Sequence, residues 1–225
     1  VAADAARERV ILLHGIWMRA PTLWWLERRL RKAGFDTRRF DYASVFGAPA
    51  RAVAALRERL RDAGPGPVHL VGHSLGGLVA IAACCDAPDL PPGRILCLGS
   101  PLAGSAAARA VDRWPGLRAL AGAWRQGLLQ GAAALPAGRE VGVVAGTRSV
   151  GLGALLARLP RPHDGTVAVV ETRVDGLADH LAVDASHTGM LLDPVVAAAA
   201  TRFLREGRFS AAAPGAAGGA PSPPR

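Results

Sequence analysis

Residues 72–76 read Gly72-His73-Ser74-Leu75-Gly76, a serine with a glycine two positions to either side. The pattern carries chemistry when it sits between a strand and a helix. Here one apolar run precedes it, Val68 to Val71, and another follows, Leu78 to Cys84. A strand-to-helix turn tight enough to lift a serine out of a sheet strains the backbone, and side chains two residues before or after would strike neighbouring main chain. Glycine removes that collision, and Gly77 adds a second small residue for close packing of the helix on the sheet. The helix starting after Ser74 brings unpaired N–H groups and a partial positive charge beside the hydroxyl. These are the requirements of a serine that attacks a carbonyl carbon.

Such a serine needs a base, and the base needs a carboxylate to fix its tautomer. With a nucleophile on this kind of turn, the acid and then the base follow it along the chain. Of the six histidines, His69 and His73 flank Ser74 in sequence and do not easily face it. His163 and His180 bracket a stretch that reads as structural. His187, within Asp184-Ala185-Ser186-His187-Thr188-Gly189, falls in a loop between the last strand and the closing helix, a position that swings over Ser74. Asp164, in Pro162-His163-Asp164-Gly165-Thr166-Val167, is the candidate acid; Asp175, Asp179 and Asp184 compete with it. The negative charge of a tetrahedral intermediate requires two converging N–H groups. Leu75, directly after the nucleophile, supplies one, and Ile16, after the flexible Gly15, is chosen for the other. His14 reads as a brace for that early loop rather than as a base.

The elements that must position these groups alternate, which predicts a mostly parallel sheet covered by helices on both faces. Strands are expected at Val10–Leu13, Thr37–Tyr42, Val68–Val71, Ile95–Leu98, Val141–Ala145 and His180–Val183. Thr22 is expected to cap a helix with Leu23, Leu26 and Leu30 on one face, stopped by Gly34. Further helices are expected at Pro49–Ala63, after Ser74 to about Asp86, and from about Pro194 to Arg205. Residues 101–138, Ala-rich with Trp114 and Trp124, read as a short helical cap insertion. Its stripe of Leu117, Leu120, Trp124, Leu128 and Leu129 suits either an acyl pocket or plain core packing. Residues 1–209 then form one domain, and 210–225, almost all Ala, Gly, Pro and Ser, a disordered tail.

His14-Gly15, Gly-His-Ser-Leu-Gly-Gly at 72–77, Gly99-Ser100-Pro101 with Gly104-Ser105, Asp164-Gly165-x-Val167 and Ser186-His187 together resemble the bacterial lipase/esterase-like branch of the α/β-hydrolases. The resemblance spans about Val10 to Phe209. It implies the α/β-hydrolase fold, with Ser74 as nucleophile, Asp164 as acid and His187 as base. The chain departs from secreted lipases in being shorter, without their signal peptide or disulfide, and without an obvious calcium-ligand cluster. The fold and triad are therefore better supported than a triglyceride substrate. The expected activity is cleavage of carboxylic, acyl or lipid-like esters through an acyl-enzyme. A thioesterase or acyltransferase would use the same triad, and a catalytically silent scaffold would keep the fold alone.

Composition narrows the partners. The formal net charge is +9, yet Lys32 is the only lysine among 27 basic residues and the arginines are scattered. Without basic runs interleaved with aromatics, nucleic acid is not expected as a partner. Cys84, Cys85 and Cys97 are odd in number, lack a CxxC pair and sit in apolar runs, so buried reduced thiols are expected, with no metal and no cofactor. The apolar runs are too short or too interrupted for stable membrane insertion. A cytoplasmic location is expected, with export left open because the chain begins at Val1.

Overall fold

The computed structural model describes residues 8–113, 122–151 and 158–210. Six strands form one sheet: β1 (Arg9–Leu13), β2 (Asp36–Phe40), β3 (Val68–His73), β4 (Ile95–Leu98), β5 (Val141–Gly146) and β6 (Asp179–Val183). Their order is β2-β1-β3-β4-β5-β6, and every pairing is parallel. The chain runs from β1 outward to β2, then crosses back to β3 on the other side of β1. That reversal opens a crevice at the C-terminal ends of β1 and β3, where ligands bind in open α/β sheets.

Strand side chains alternate between the two faces. Val10, Leu12, Val71, Leu96, Leu98 and Val144 pack against α1 (Trp24–Lys32) and α6 (Pro194–Glu206). Ile11, Leu13, Leu70, Ile95, Cys97 and Val143 pack against α2 (Pro49–Arg61) and α3 (Leu75–Cys84). Helices α1 and α2 each bury one stripe, Leu26 and Leu30 in the first, Ala52, Leu56 and Leu60 in the second. Helix α3 is different. It is buried on nearly all sides, as its almost continuous apolar sequence requires. Gly142 on β5 makes room for Phe203 of α6, because a Cβ there would lie 2.3 Å from the ring. Truncating that fully buried phenylalanine to alanine would cost about 3–5 kcal/mol. Helix α6 begins at Asp193, whose carboxylate accepts from Val195 N–H at 2.7 Å and Val196 N–H at 3.2 Å, and ends at Gly207 in the left-handed region.

Thr22 does not cap α1. It lies in a 3-10 turn over Ala20–Leu23 that opens with Pro21, and its hydroxyl donates back to Arg19 O at 2.7 Å. The second strand starts one residue earlier than expected and stops at Phe40, since Asp41 leaves the sheet to bind Arg19 and Ala20 N–H. Cys84 and Cys97 are buried and all three cysteines are reduced, but Cys85 is only partly buried. No helix among the described residues is long and apolar enough to cross a membrane. In the insertion, α4 (Ala106–Asp112) and α5 (Arg125–Gln130) are helical. Trp124 and Leu128 join the core on the α2/α3 face, which is the packing reading of that stripe. Trp114, Leu117 and Leu120, and the tail from 211 onward, lie outside the described residues.

Candidate active site

Ser74 joins β3 to α3 with φ 54° and ψ −119°, a region that costs a non-glycine residue about 1–3 kcal/mol. The surroundings enforce it. Ser74 N–H donates to Leu98 O on β4 at 2.8 Å, and Gly77 N–H donates to Ser74 O at 3.1 Å. A Cβ on Gly72 would sit 2.4 Å from the Gly76 carbonyl carbon, and one on Gly76 would sit 2.6 Å from Leu13 O. One on Gly77 would sit 2.1 Å from Ser100 Oγ. The glycines are thus the reason β1, β3, β4 and α3 can converge on one serine.

Asp164 and His187 meet as the chain order suggested. His187 Nδ1 lies 2.6 Å from Asp164 Oδ2, and His187 N–H donates to Asp164 O at 2.9 Å. The other carboxylate oxygen accepts from Thr166 N–H at 2.9 Å and Val167 N–H at 2.7 Å. Asp164 is 1% exposed and His187 8%. With its Nδ1–H donated to the carboxylate, the imidazole keeps the Nε2 lone pair as its basic site. Among the described residues no hydrogen bond joins Ser74 Oγ to His187. The two are nevertheless held in one cluster: His73, next to Ser74, bonds His187, and Gly99, after the strand that binds Ser74 N–H, packs on the pair. A Cβ on Gly99, at φ 58°, would lie 3.0 Å from Asp164 Oδ2 and 3.1 Å from His187 Nδ1. The competing acids are elsewhere. Asp179 binds Phe209 N–H, Asp184 pairs with Arg148 on the surface, and Asp175 lines a hollow with His180 below the sheet's other end.

His73 has a part that sequence reasoning missed. Its Nε2–H donates to His187 O at 2.9 Å, and the two rings lie 4.7 Å apart. Burial first, and then the neighbouring His187, lower its pKa to about 3, so it is a neutral donor at physiological pH. It braces the loop that carries His187. Only the fold reveals this, because the partner is a main-chain carbonyl 114 residues away.

His14 is a brace, as expected. Its Nδ1 lies 2.9 Å from Gly15 O, and Tyr42 N–H donates to its Nε2 at 3.3 Å. Tyr42, a partner the sequence did not single out, donates its hydroxyl to His14 O at 2.7 Å and stacks on the imidazole at 4.4 Å. Burial outweighs nearby Asp41 and holds the His14 pKa below the usual value. The loop then turns at Ile16: Met18 N–H donates to Gly15 O at 3.3 Å, with Trp17 at φ 60°. A Cβ on Gly15 would lie 3.2 Å from Ser74 Cβ, so this loop abuts Ser74. Leu75 opens α3, so its own N–H has no partner within the helix. No cluster of potential metal ligands occurs among the described residues.

A parallel sheet wrapped by helices, with a strained serine at the β3–α3 turn, defines the α/β-hydrolase class. The sequence matches the Alpha/beta hydrolase family over residues 10–217, and the chain belongs to that family. No curated protein matches it. Among solved structures, the chain is similar to the Bacillus licheniformis lipase BlEst2 in its propeptide form, with a TM-score of 0.69 and 20% identity over 84% of this chain and 48% of that one. It is similar to the metagenomic carboxyl esterase MGS0156, with a TM-score of 0.64 and 19% identity over 82% of this chain and 66% of that one. The Bacillus subtilis carboxylesterase CesB is similar over more of its own length, at 15% identity and a TM-score of 0.56, covering 91% of this chain and 86% of that one. These likenesses are of fold. The chain spans about half the length of the BlEst2 chain.

Proposed function

We propose that this hydrolase cleaves carboxylic esters through Ser74, His187 and Asp164. The observation that carries the reading is the 2.6 Å contact of His187 Nδ1 with a buried Asp164, which leaves Nε2 basic on the loop beside Ser74. His187 Nε2 takes the Ser74 proton as Oγ bonds to the ester carbonyl carbon, and the resulting oxyanion accepts from the N–H groups of Ile16 and Leu75. His187 returns the proton to the alkoxide as the C–O bond breaks, leaving an acyl-serine. Water then attacks by the reverse route, giving the acid and free Ser74. Asp164 holds the imidazole tautomer and stabilises the imidazolium throughout. The similar structures include a lipase and two carboxylesterases, which supports an ester substrate.

A panel of nitrophenyl esters from acetate to palmitate tests this. Ser74→Ala is expected to lower turnover by about 10⁶-fold, and Asp164→Asn by about 10⁴-fold with the fold intact. Wild-type protein that is inert on every ester would overturn the reading, and turnover confined to a parallel thioester panel would replace it with a thioesterase.

A further inference from the structure

Large hydrophobic side chains exposed among the described residues are Trp17, Trp24, Phe46, Val150, Leu192 and Val195, with Val170. Single exposed hydrophobics are ordinary on a protein surface. Their distribution here is not. In a parallel sheet, each segment leaving a strand starts at the sheet's C-terminal end, and the following helix begins there. Trp17 and Trp24 lie between β1 and the first turn of α1, and Phe46 between β2 and α2. Leu192 and Val195 lie between β6 and the first turn of α6, and Val150 lies on the segment leaving β5, whereas Val170 lies on the stretch leading into β6, near Thr172, which bonds His180 at the start of that strand. Connections at the opposite end, 33–35, 62–67, 85–94 and 131–140, expose no large hydrophobic residue. The helix bodies expose none either.

Six of these seven side chains, all but Val170, therefore lie toward the end of the sheet that carries Ser74. Phe46 is 87% exposed and meets Trp17 edge-on at 6.4 Å. Exposed arginines share the same segments: Arg19 beside Trp17, Arg51 in the first turn of α2, Arg148 beside Val150, and Arg161. Arg19 and Arg148 have carboxylate neighbours in Asp41 and Asp184, so the excess positive charge of this end is modest, within a chain of net charge +9. A cavity lined by Leu78, Cys85, Trp124 and Leu135 lies at the far end of α3 instead. This end thus presents projecting aromatic and aliphatic tips among guanidinium groups, the composition that settles into a headgroup layer and meets its phosphates.

We propose that the catalytic end of the sheet docks on an anionic phospholipid surface. Its purpose, presenting ester carbonyls to Ser74, rests on the proposed esterase activity; the docking itself does not. Co-sedimentation with vesicles tests it. Wild type and Ser74→Ala are expected to bind phosphatidylglycerol vesicles equally at low salt, and phosphatidylcholine vesicles less. Binding should weaken as salt rises to about 0.5 M, where screening is strong. The double variant Phe46→Ser with Trp24→Ser is expected to lose affinity on the order of tenfold or more. Its thermal midpoint and turnover of soluble nitrophenyl acetate should stay at the wild-type values. Failure of wild type to bind phosphatidylglycerol, or equal binding by the double variant, would overturn the proposal. So would a dimer in sedimentation equilibrium that the double variant abolishes, with no vesicle binding, since a second copy would then own this face. Vesicle binding by a protein inert on every ester would leave docking standing and remove the esterase reading.

Discussion

Helix α3 starts against three glycines, at 72, 76 and 77, where an added Cβ would fall 2.1–2.6 Å from its nearest neighbour. Ten residues on, its C-terminus borders a cavity of about 620 Å³, lined by Ile81, Cys85, Trp124 and Pro136 among others. One helix is packed without slack at one end and loosely at the other. The tight end fixes the serine and its strained backbone, the close positioning that the proposed acyl transfer would need. The other end borders a hollow that opens to solvent.

Substitutions at the two ends should separate these roles. Gly76→Ala brings a Cβ to 2.6 Å of Leu13 O and 2.8 Å of His14 O, both main chain that cannot step aside. A loss of more than about 3 kcal/mol in chemical denaturation, or failure to fold, is expected; a variant as stable as wild type would contradict the tight end. His73→Leu is smaller in effect. It leaves the His187 carbonyl without its donor, a penalty of about 1–3 kcal/mol. It should lower kcat more than it changes KM, and His73→Gln, which keeps an N–H donor, should recover most of the loss.

The same histidine predicts a pH response. Its folded pKa of about 3 lies below the 6.5 of an unperturbed imidazole, so the unfolded chain takes up the proton first as pH falls. Stability is full above about pH 6.5 and declines toward pH 3, by up to about 1.4 kcal/mol per pH unit. Burial lowers the pKa of His14 and His69 too, which adds in the same direction. Thermal midpoints from pH 7 to 4 should fall less steeply in His73→Gln than in wild type. At the loose end, Ala82→Leu on the cavity wall should shift the denaturation midpoint by no more than about 0.5–1 kcal/mol.

What the sequence reveals follows the same division. Strand β4 is found to the residue and β1 and β3 nearly so, because continuous apolar runs admit one reading in a parallel sheet. The pairing of His187 with Asp164 is legible from chain order and turn residues alone. Strand β2 is harder: Asp-Thr-Arg-Arg-Phe has little apolar signal, since an edge strand can leave Arg38 and Arg39 in water. The start of α1 was misplaced because Thr22 followed by Leu23 looks like a cap, while Pro21 instead winds a 3-10 turn. His73 and Tyr42 stayed hidden because each acts through main-chain groups distant in sequence.

The brace between His73 and His187 also orders events in time. A ribosome adding about 5–20 residues per second needs roughly six to twenty-three seconds to travel the 114 residues between them. Throughout that interval Ser74 is an ordinary alcohol on an unfinished sheet, with neither the imidazole nor its supporting carboxylate in place. Any reactivity that the proposed triad gives Ser74 therefore waits until His187 has been added to the chain.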